Sequence, residues 1–128
     1  MKKSFFLTIL LSLSAIVFAQ NKSDNSGKII TLTAKSYEQE VSKGLVLVDY
    51  WAVWCGPCRK MEPVLKQIAE ETDVKVGKLN VDDYKAFVRT KNVPTIPTMI
   101  IYKDGKEVQR LVGVYSKDEV LKVLDSYK

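Results

Sequence analysis

The sequence predicts an α/β domain: a central mixed β-sheet with helices on both of its faces. Three observations carry this reading. Short runs rich in β-branched residues alternate with segments of helical spacing, an order that implies parallel pairing across βαβ crossovers. One run, "LVLVDYWA" (45–52), is almost continuously apolar, the pattern of a central strand buried on both faces. The final pair of runs, in "TMIIYKDGKEVQRLVG", flanks Asp104-Gly105, a hairpin signal that adds an antiparallel edge.

The elements follow in chain order. Residues 1–19, "MKKSFFLTILLSLSAIVFA", read as a signal peptide. Lys2 and Lys3 form its positive end, Phe5 to Phe18 its apolar run of 14 residues, and Val17-Phe18-Ala19 a small-x-small cleavage site. The run falls short of the roughly 20 residues that span a bilayer, so an uncleaved anchor is the lesser alternative. Residues 20–28 are polar and aperiodic, a flexible leader, and residues 29–128 form the folded domain. Ile29 to Thr33 reads as a strand. Ser36, with Gln39 three residues on, caps a short helix that Gly44 closes at C′. After the strand at 45–52, "CRKMEPVLKQIAEET" places Met61, Leu65, Ile68, Ala69 and Thr72 at helical spacing, with a kink expected at Pro63. Val74 to Asp82 is a second core strand and Tyr84 to Thr90 a short helix. Ser116 and Glu119 form a capping box for a last helix with Val120, Leu121, Leu124 and Tyr127 on its inner stripe.

Composition removes several classes of function. At 128 residues the chain holds one domain at most. The net charge is +5, and setting aside Lys2 and Lys3 leaves +3 on the rest. Lys and Asp/Glu are interspersed, without the basic stripe that nucleic acid demands. The chain contains no histidine, which excludes His-based triads, H-E-x-x-H zinc sites and mixed Cys/His zinc sites. Arg59 follows Cys58, so the haem-attachment pattern C-x-x-C-H is also excluded.

The two cysteines, Cys55 and Cys58, are the only ones in the chain. Two thiolates cannot complete a four-ligand zinc site, and so short a loop barely constrains an unfolded chain. A redox couple suits them better. Cys55 falls where a strand gives way to a helix, whose free N–H groups and partial positive charge stabilise a thiolate. Arg59 and Lys60 add positive charge nearby. Cys58, one turn into the helix, is placed to close a disulfide and to attack a mixed disulfide on Cys55. Gly56 gives the backbone freedom for the turn, and Pro57 is tolerated in a first helical turn, where its missing N–H costs no bond. Trp51 and Trp54 flank the pair, Trp51 reading as core and Trp54 as a partly exposed platform. Asp49, inside the apolar run, is expected to be desolvated with a raised pKa.

"VDYWAVWCGPCRKMEP" resembles the active-site segment of the thioredoxin family, including the Gly-Pro between the cysteines. "KLNVDD", "VPTIPTMIIYKDGKEV" and "LVGVYSKDEV" resemble the family's third-strand segment, its cis-proline loop and hairpin, and its glycine loop before the last helix. The resemblance covers nearly all of residues 29–128 and implies the thioredoxin fold. It implies that Cys55 is the nucleophile, that Cys58 resolves, and that the two form the redox disulfide. It makes Asp49 a buried proton acceptor for Cys58 acting through water, with Lys78 modulating it. Pro97, which alone reads as a trans turn proline, becomes a cis-proline that turns the Ile96 backbone toward a substrate strand. Gly113 becomes a lining of the substrate groove. Pro94 departs from the family pattern and is expected to stiffen that loop.

The expected function is thiol-disulfide oxidoreduction, reducing disulfides in exported client proteins. The electrons reside on sulfur, so no cofactor is required. A membrane-embedded thiol relay is the expected electron donor, the periplasm the expected location and a monomer the expected state. Oxidase or isomerase activity and Cu(I) binding by the two soft thiolates are the alternatives, with a redox-silent interaction protein as a third.

Overall fold

The computed structural model describes residues 29–128; the signal peptide and leader read from residues 1–28 lie outside the described residues. The described chain runs β1 (Ile29–Thr31), α1 (Tyr37–Val41), β2 (Leu45–Trp51), α2 (Gly56–Glu71), β3 (Lys75–Asn80), α3 (Lys85–Thr90), β4 (Thr98–Lys103), β5 (Lys106–Val112) and α4 (Lys117–Asp125). The order βαβαβαββα is the one the sequence predicts. The strands form one sheet in the order β1-β3-β2-β4-β5. β3 pairs parallel with both β1 and β2, while β4 runs antiparallel to β2 and β5. Among the described residues no helix is long and apolar enough to cross a membrane.

The continuous apolar run of β2 is explained by its place: it is the middle strand, covered on both sides. Alternate residues face opposite layers. Leu47 packs with Val76, Met99 and Ile101 under α2 and α4, where Met61, Leu65, Ile68, Val120 and Leu124 close the layer. Val46, Val48 and Tyr50 face the other way, with Ile100, Leu79 and Tyr102, under α1 and α3. In that second layer the Tyr37 hydroxyl lies 2.6 Å from that of Tyr50 and 2.8 Å from that of Tyr102, tying α1 to β2 and β4. Desolvation holds all three phenols above the ordinary tyrosine range.

The ends of several elements differ from the sequence reading. β1 stops at Thr31, and β3 occupies only the inner part of Val74 to Asp82. Ser36 does not form the expected box with Gln39. Its own backbone is already helical (φ −85°, ψ −15°), so its hydroxyl turns back and accepts from the Thr33 backbone N–H at 3.0 Å. Because α1 ends at Val41, Gly44 stands one residue beyond C′, in the left-handed region at φ +71°. α2 runs through Pro63 without a break. The box at α4 forms in full: Ser116 Oγ accepts from the Glu119 N–H at 3.2 Å and Glu119 returns the bond to the Ser116 N–H at 3.0 Å.

The hairpin turns at Asp104 (φ +49°) and Gly105 (φ +84°), both left-handed as a two-residue hairpin loop requires. Asp104 also accepts from the Gly44 N–H at 2.8 Å, pinning the hairpin tip to the entry of β2. Gly77 on β3 marks a close approach. A Cβ there would lie 2.6 Å from Leu32 Cδ1 and 2.9 Å from Leu32 Cγ. Gly77→Ala is therefore expected to destabilise the domain by about 1–3 kcal/mol through overpacking, measured by urea unfolding. An unchanged midpoint would mean that Leu32 repacks freely.

Candidate active site

The site sits where β2 ends and α2 begins. The strand delivers Ala52 to the top of the sheet, and Cys55 then caps the helix with extended backbone (φ −85°, ψ 102°). Cys55 and Cys58 are joined as a disulfide, their Cα atoms 5.3 Å apart. The Cys58 backbone N–H donates to the Cys55 sulfur at 3.2 Å. The sulfur thus occupies the place of a capping oxygen at the positive end of α2. There a thiolate on Cys55 is stabilised by a backbone donor and by the helix dipole. Both cysteines are buried, and they pack with Ala52, Trp51, Val81 and Ile96.

Pro57 lies in the first turn of α2, where its missing N–H is no loss. Gly56 is a correction. The structure does not need glycine there for backbone freedom: its φ is not positive and an added Cβ would meet nothing within 4 Å. A residue already inside the first helical turn takes ordinary helical dihedrals. Arg59 lies outside on the helix and donates to the Val53 carbonyl at 3.0 Å, bracing the loop that leads into Cys55.

Trp54 is 67% exposed and is held by its indole N–H, which donates to Asp82 Oδ2 at 2.9 Å. Trp51 is half-buried, with the Lys78 ammonium 4.4 Å from its ring centroid. The Ile96–Pro97 peptide is cis, and Ile96 packs against the disulfide cluster. Gly113 joins this rim: its N–H donates to the Pro97 carbonyl at 2.9 Å and its φ is +101°. A Cβ at Gly113 would find open space, so the positive φ is what favours glycine there. Val112 and Val114 beside it are exposed, as are Val53 and Trp54 in the loop before Cys55. On the α3 side a groove of about 470 Å³ runs past Trp54, Asp82, Lys85, Arg89, Pro94 and Ile96.

Asp49 lies inside β2, two residues before Trp51. It is 1% exposed, and neither carboxylate oxygen has a hydrogen-bond partner. Leu47 faces the α2 layer, so Asp49, two residues on, faces it too, within electrostatic reach of Glu62 on α2. Burial pushes its pKa up to about 7, with the Lys78 ammonium pulling back and the Glu62 carboxylate pushing further up. Lys78 is Asp49's direct register partner on β3, yet its ammonium bonds to Glu62 Oε1 at 3.4 Å. The structure therefore brings Cys55, Cys58, Trp51, Trp54, Ile96, Pro97 and Gly113 to one surface, with Asp49 and Lys78 in the layer beneath.

Sequence reasoning missed two residues of this arrangement, Asp82 and Glu62. Glu62 left a signal, since it stands four residues after Cys58 on the same side of α2. Asp82 left none, because nothing local tells that a loop carboxylate will meet an indole 28 positions away.

A disulfide capping a helix, an exposed indole, a cis-proline rim and a buried carboxylate define a protein of the dithiol–disulfide exchange class. The comparisons with known proteins give the family. The thioredoxin family profile matches residues 28–126. The thioredoxin of Chlamydia caviae is 41% identical over 97 residues, covering 75% of this chain and 95% of that protein. That of Listeria monocytogenes is 43% identical over 98 residues, with 75% and 95% covered. Among solved structures, the N21Q mutant thioredoxin from Halobacterium salinarum superimposes with a TM-score of 0.77 at 31% identity, covering 80% of this chain and 93% of the other. The chain belongs to the thioredoxin family and is a protein-disulfide oxidoreductase of thioredoxin type.

Proposed function

We propose that the chain is an exported reductant of client disulfides, recharged by a membrane-embedded thiol relay. The observation that carries the chemistry is the unpartnered Asp49 carboxylate beneath the helix that bears Cys58. In the reduced protein, the Cys55 thiolate attacks one sulfur of a client disulfide. A mixed disulfide forms, and the other client sulfur leaves as a thiolate. The Cys58 thiol gives its proton to Asp49, through water. The Cys58 thiolate then attacks Cys55 sulfur, closing the Cys55–Cys58 bond and releasing the second client thiolate. Two electrons pass from the dithiol to the client, and the relay returns them by the reverse exchange. Asp49 suits this step because a group with a pKa near 7 both takes and returns a proton at neutral pH. The client chain would lie as an extended segment along the rim of Ile96, Pro97 and Gly113, pairing with the Ile96 backbone.

Export rests on residues 1–19, and the reducing direction on the Gly56-Pro57 dipeptide shared with the family pattern. Redox equilibration with glutathione tests the direction. The expected potential is near the value of about −270 mV characteristic of thioredoxins, with reduction of insulin disulfides. A value near about −120 mV would make the protein an oxidant and overturn the reading. Recovery of a mature form beginning at Gln20 outside the cytoplasm would support export; retention of Met1 on a cytoplasmic protein would overturn it.

A further inference from the structure

We propose that Glu62 is a positioning residue for the exchange reaction: it holds the Lys78 ammonium over Trp51 and thereby keeps it from pairing with Asp49. The proposal rests on the reading of Asp49 as proton acceptor for Cys58.

The geometry poses a specific question. Asp49 and Lys78 are register partners on adjacent parallel strands and face the same layer. Strands so paired lie about 4.8 Å apart, so the flexible lysine stem rises within reach of the carboxylate. A buried carboxylate with two orphan oxygens beside a mobile ammonium is the arrangement that ordinarily collapses into an ion pair. Here it does not. Asp49 keeps both oxygens unpartnered, while Lys78 Nζ lies 3.4 Å from Glu62 Oε1 and 4.4 Å from the Trp51 centroid. Two contacts, one ionic and one cation–π, draw the ammonium toward the surface end of its reach.

The charged groups acting on Asp49 are few. β3 contributes Lys78, α2 contributes Glu62, and β4 places Met99, which carries no charge, in register. With Glu62 neutralised, one anchor of the ammonium is gone and Asp49 is the remaining anion within reach. Direct pairing stabilises the carboxylate, weakens it as a base and occupies the oxygen that must take the proton. Glu62 lies four residues from Cys58 on α2, so one helical segment carries both the resolving sulfur and the residue that keeps its base free.

The test is the pH dependence of client release from the mixed disulfide, followed by single-turnover tryptophan fluorescence on the intact domain. Glu62→Gln is expected to lower the midpoint by roughly one pH unit, the low end of what a new opposite charge produces. Glu62 is exposed, so this variant folds. In a Lys78→Met background the same substitution is expected to lose most of its effect, because the ammonium it releases is absent. A midpoint unmoved by Glu62→Gln overturns the proposal. So does a shift that persists in full without Lys78, since Glu62 would then act by its own charge. Asp49→Asn separates the two readings. If the wild-type midpoint survives that change, the proton-acceptor reading fails. If Asp49→Asn abolishes the midpoint and Glu62→Gln leaves it in place, the Glu62 proposal alone fails.

Discussion

Cys58→Ser is expected to stop turnover and leave the client attached to Cys55. The Cys55 thiolate keeps its stabilisation, because the donor at 3.2 Å is the backbone N–H of residue 58 and not its side chain. The first attack therefore proceeds. The second attack fails, since a serine hydroxyl stays protonated and cannot displace a thiolate. What is lost is an intramolecular step across a Cα separation of 5.3 Å. Well-oriented intramolecular attack carries effective concentrations far above any external thiol, so steady-state reduction should fall by at least about 10³-fold. Stability should change little, because the loop closed by the pair is too short to constrain the unfolded chain. Cys55→Ser should yield no adduct at all. Mass spectrometry under non-reducing conditions reads both outcomes. A client trapped on Cys58 in the Cys55→Ser protein would reverse the two roles.

The residues explain why some of this was legible in the sequence and some was not. β2 announced itself because a strand covered on both faces can hold apolar residues at nearly every position, and Leu45–Trp51 does. The same run exposed Asp49: a lone carboxylate there has nowhere to go but the interior. The cysteine pair was legible because its chemistry is local, set by one turn of helix. Ser36 misled because Thr33 competes for its hydroxyl, and that choice depends on backbone dihedrals the residue types do not fix. Gly56 misled because glycine between two functional residues looks like a hinge, whereas the chain is already helical there. The partners of Glu62 and Asp82 were hidden for a different reason, even though the spacing of Glu62 from Cys58 was legible. Both are surface carboxylates whose partners, Lys78 and Trp54, come from other elements. Only the register of β2 against β3 places Lys78 over Trp51, and register is a property of the assembled sheet.

Asp49→Asn is expected to stabilise the oxidised protein at alkaline pH while slowing its chemistry. Burial raises the Asp49 pKa from the ordinary 3.8 to about 7 in the folded state. Between those values the unfolded chain has released the proton and the folded protein still holds it. Stability is therefore fully present below about pH 4 and declines as pH rises, until the folded carboxyl ionises near pH 7. The accumulated loss is roughly 4 kcal/mol, at about 1.4 kcal/mol for each pH unit crossed. Asparagine carries no charge to desolvate, so its stability curve should lack this decline. Its amide is still a buried polar group without a partner, which costs about 1–3 kcal/mol of the gain. The net expectation at pH 8 is a stabilisation of about 2 kcal/mol, or roughly 10 °C in Tm, shrinking to nothing or reversing below pH 4. Client release should slow by on the order of 10²-fold, the lower end of what a positioned base contributes. Calorimetry across pH 3–9 decides the first half and single-turnover release the second. A variant that is less stable than wild type at pH 8 would mean that the carboxylate is solvated or paired. Opposite signs for stability and rate would instead identify Asp49 as a charge the fold tolerates at a cost, kept where a proton must be taken from Cys58.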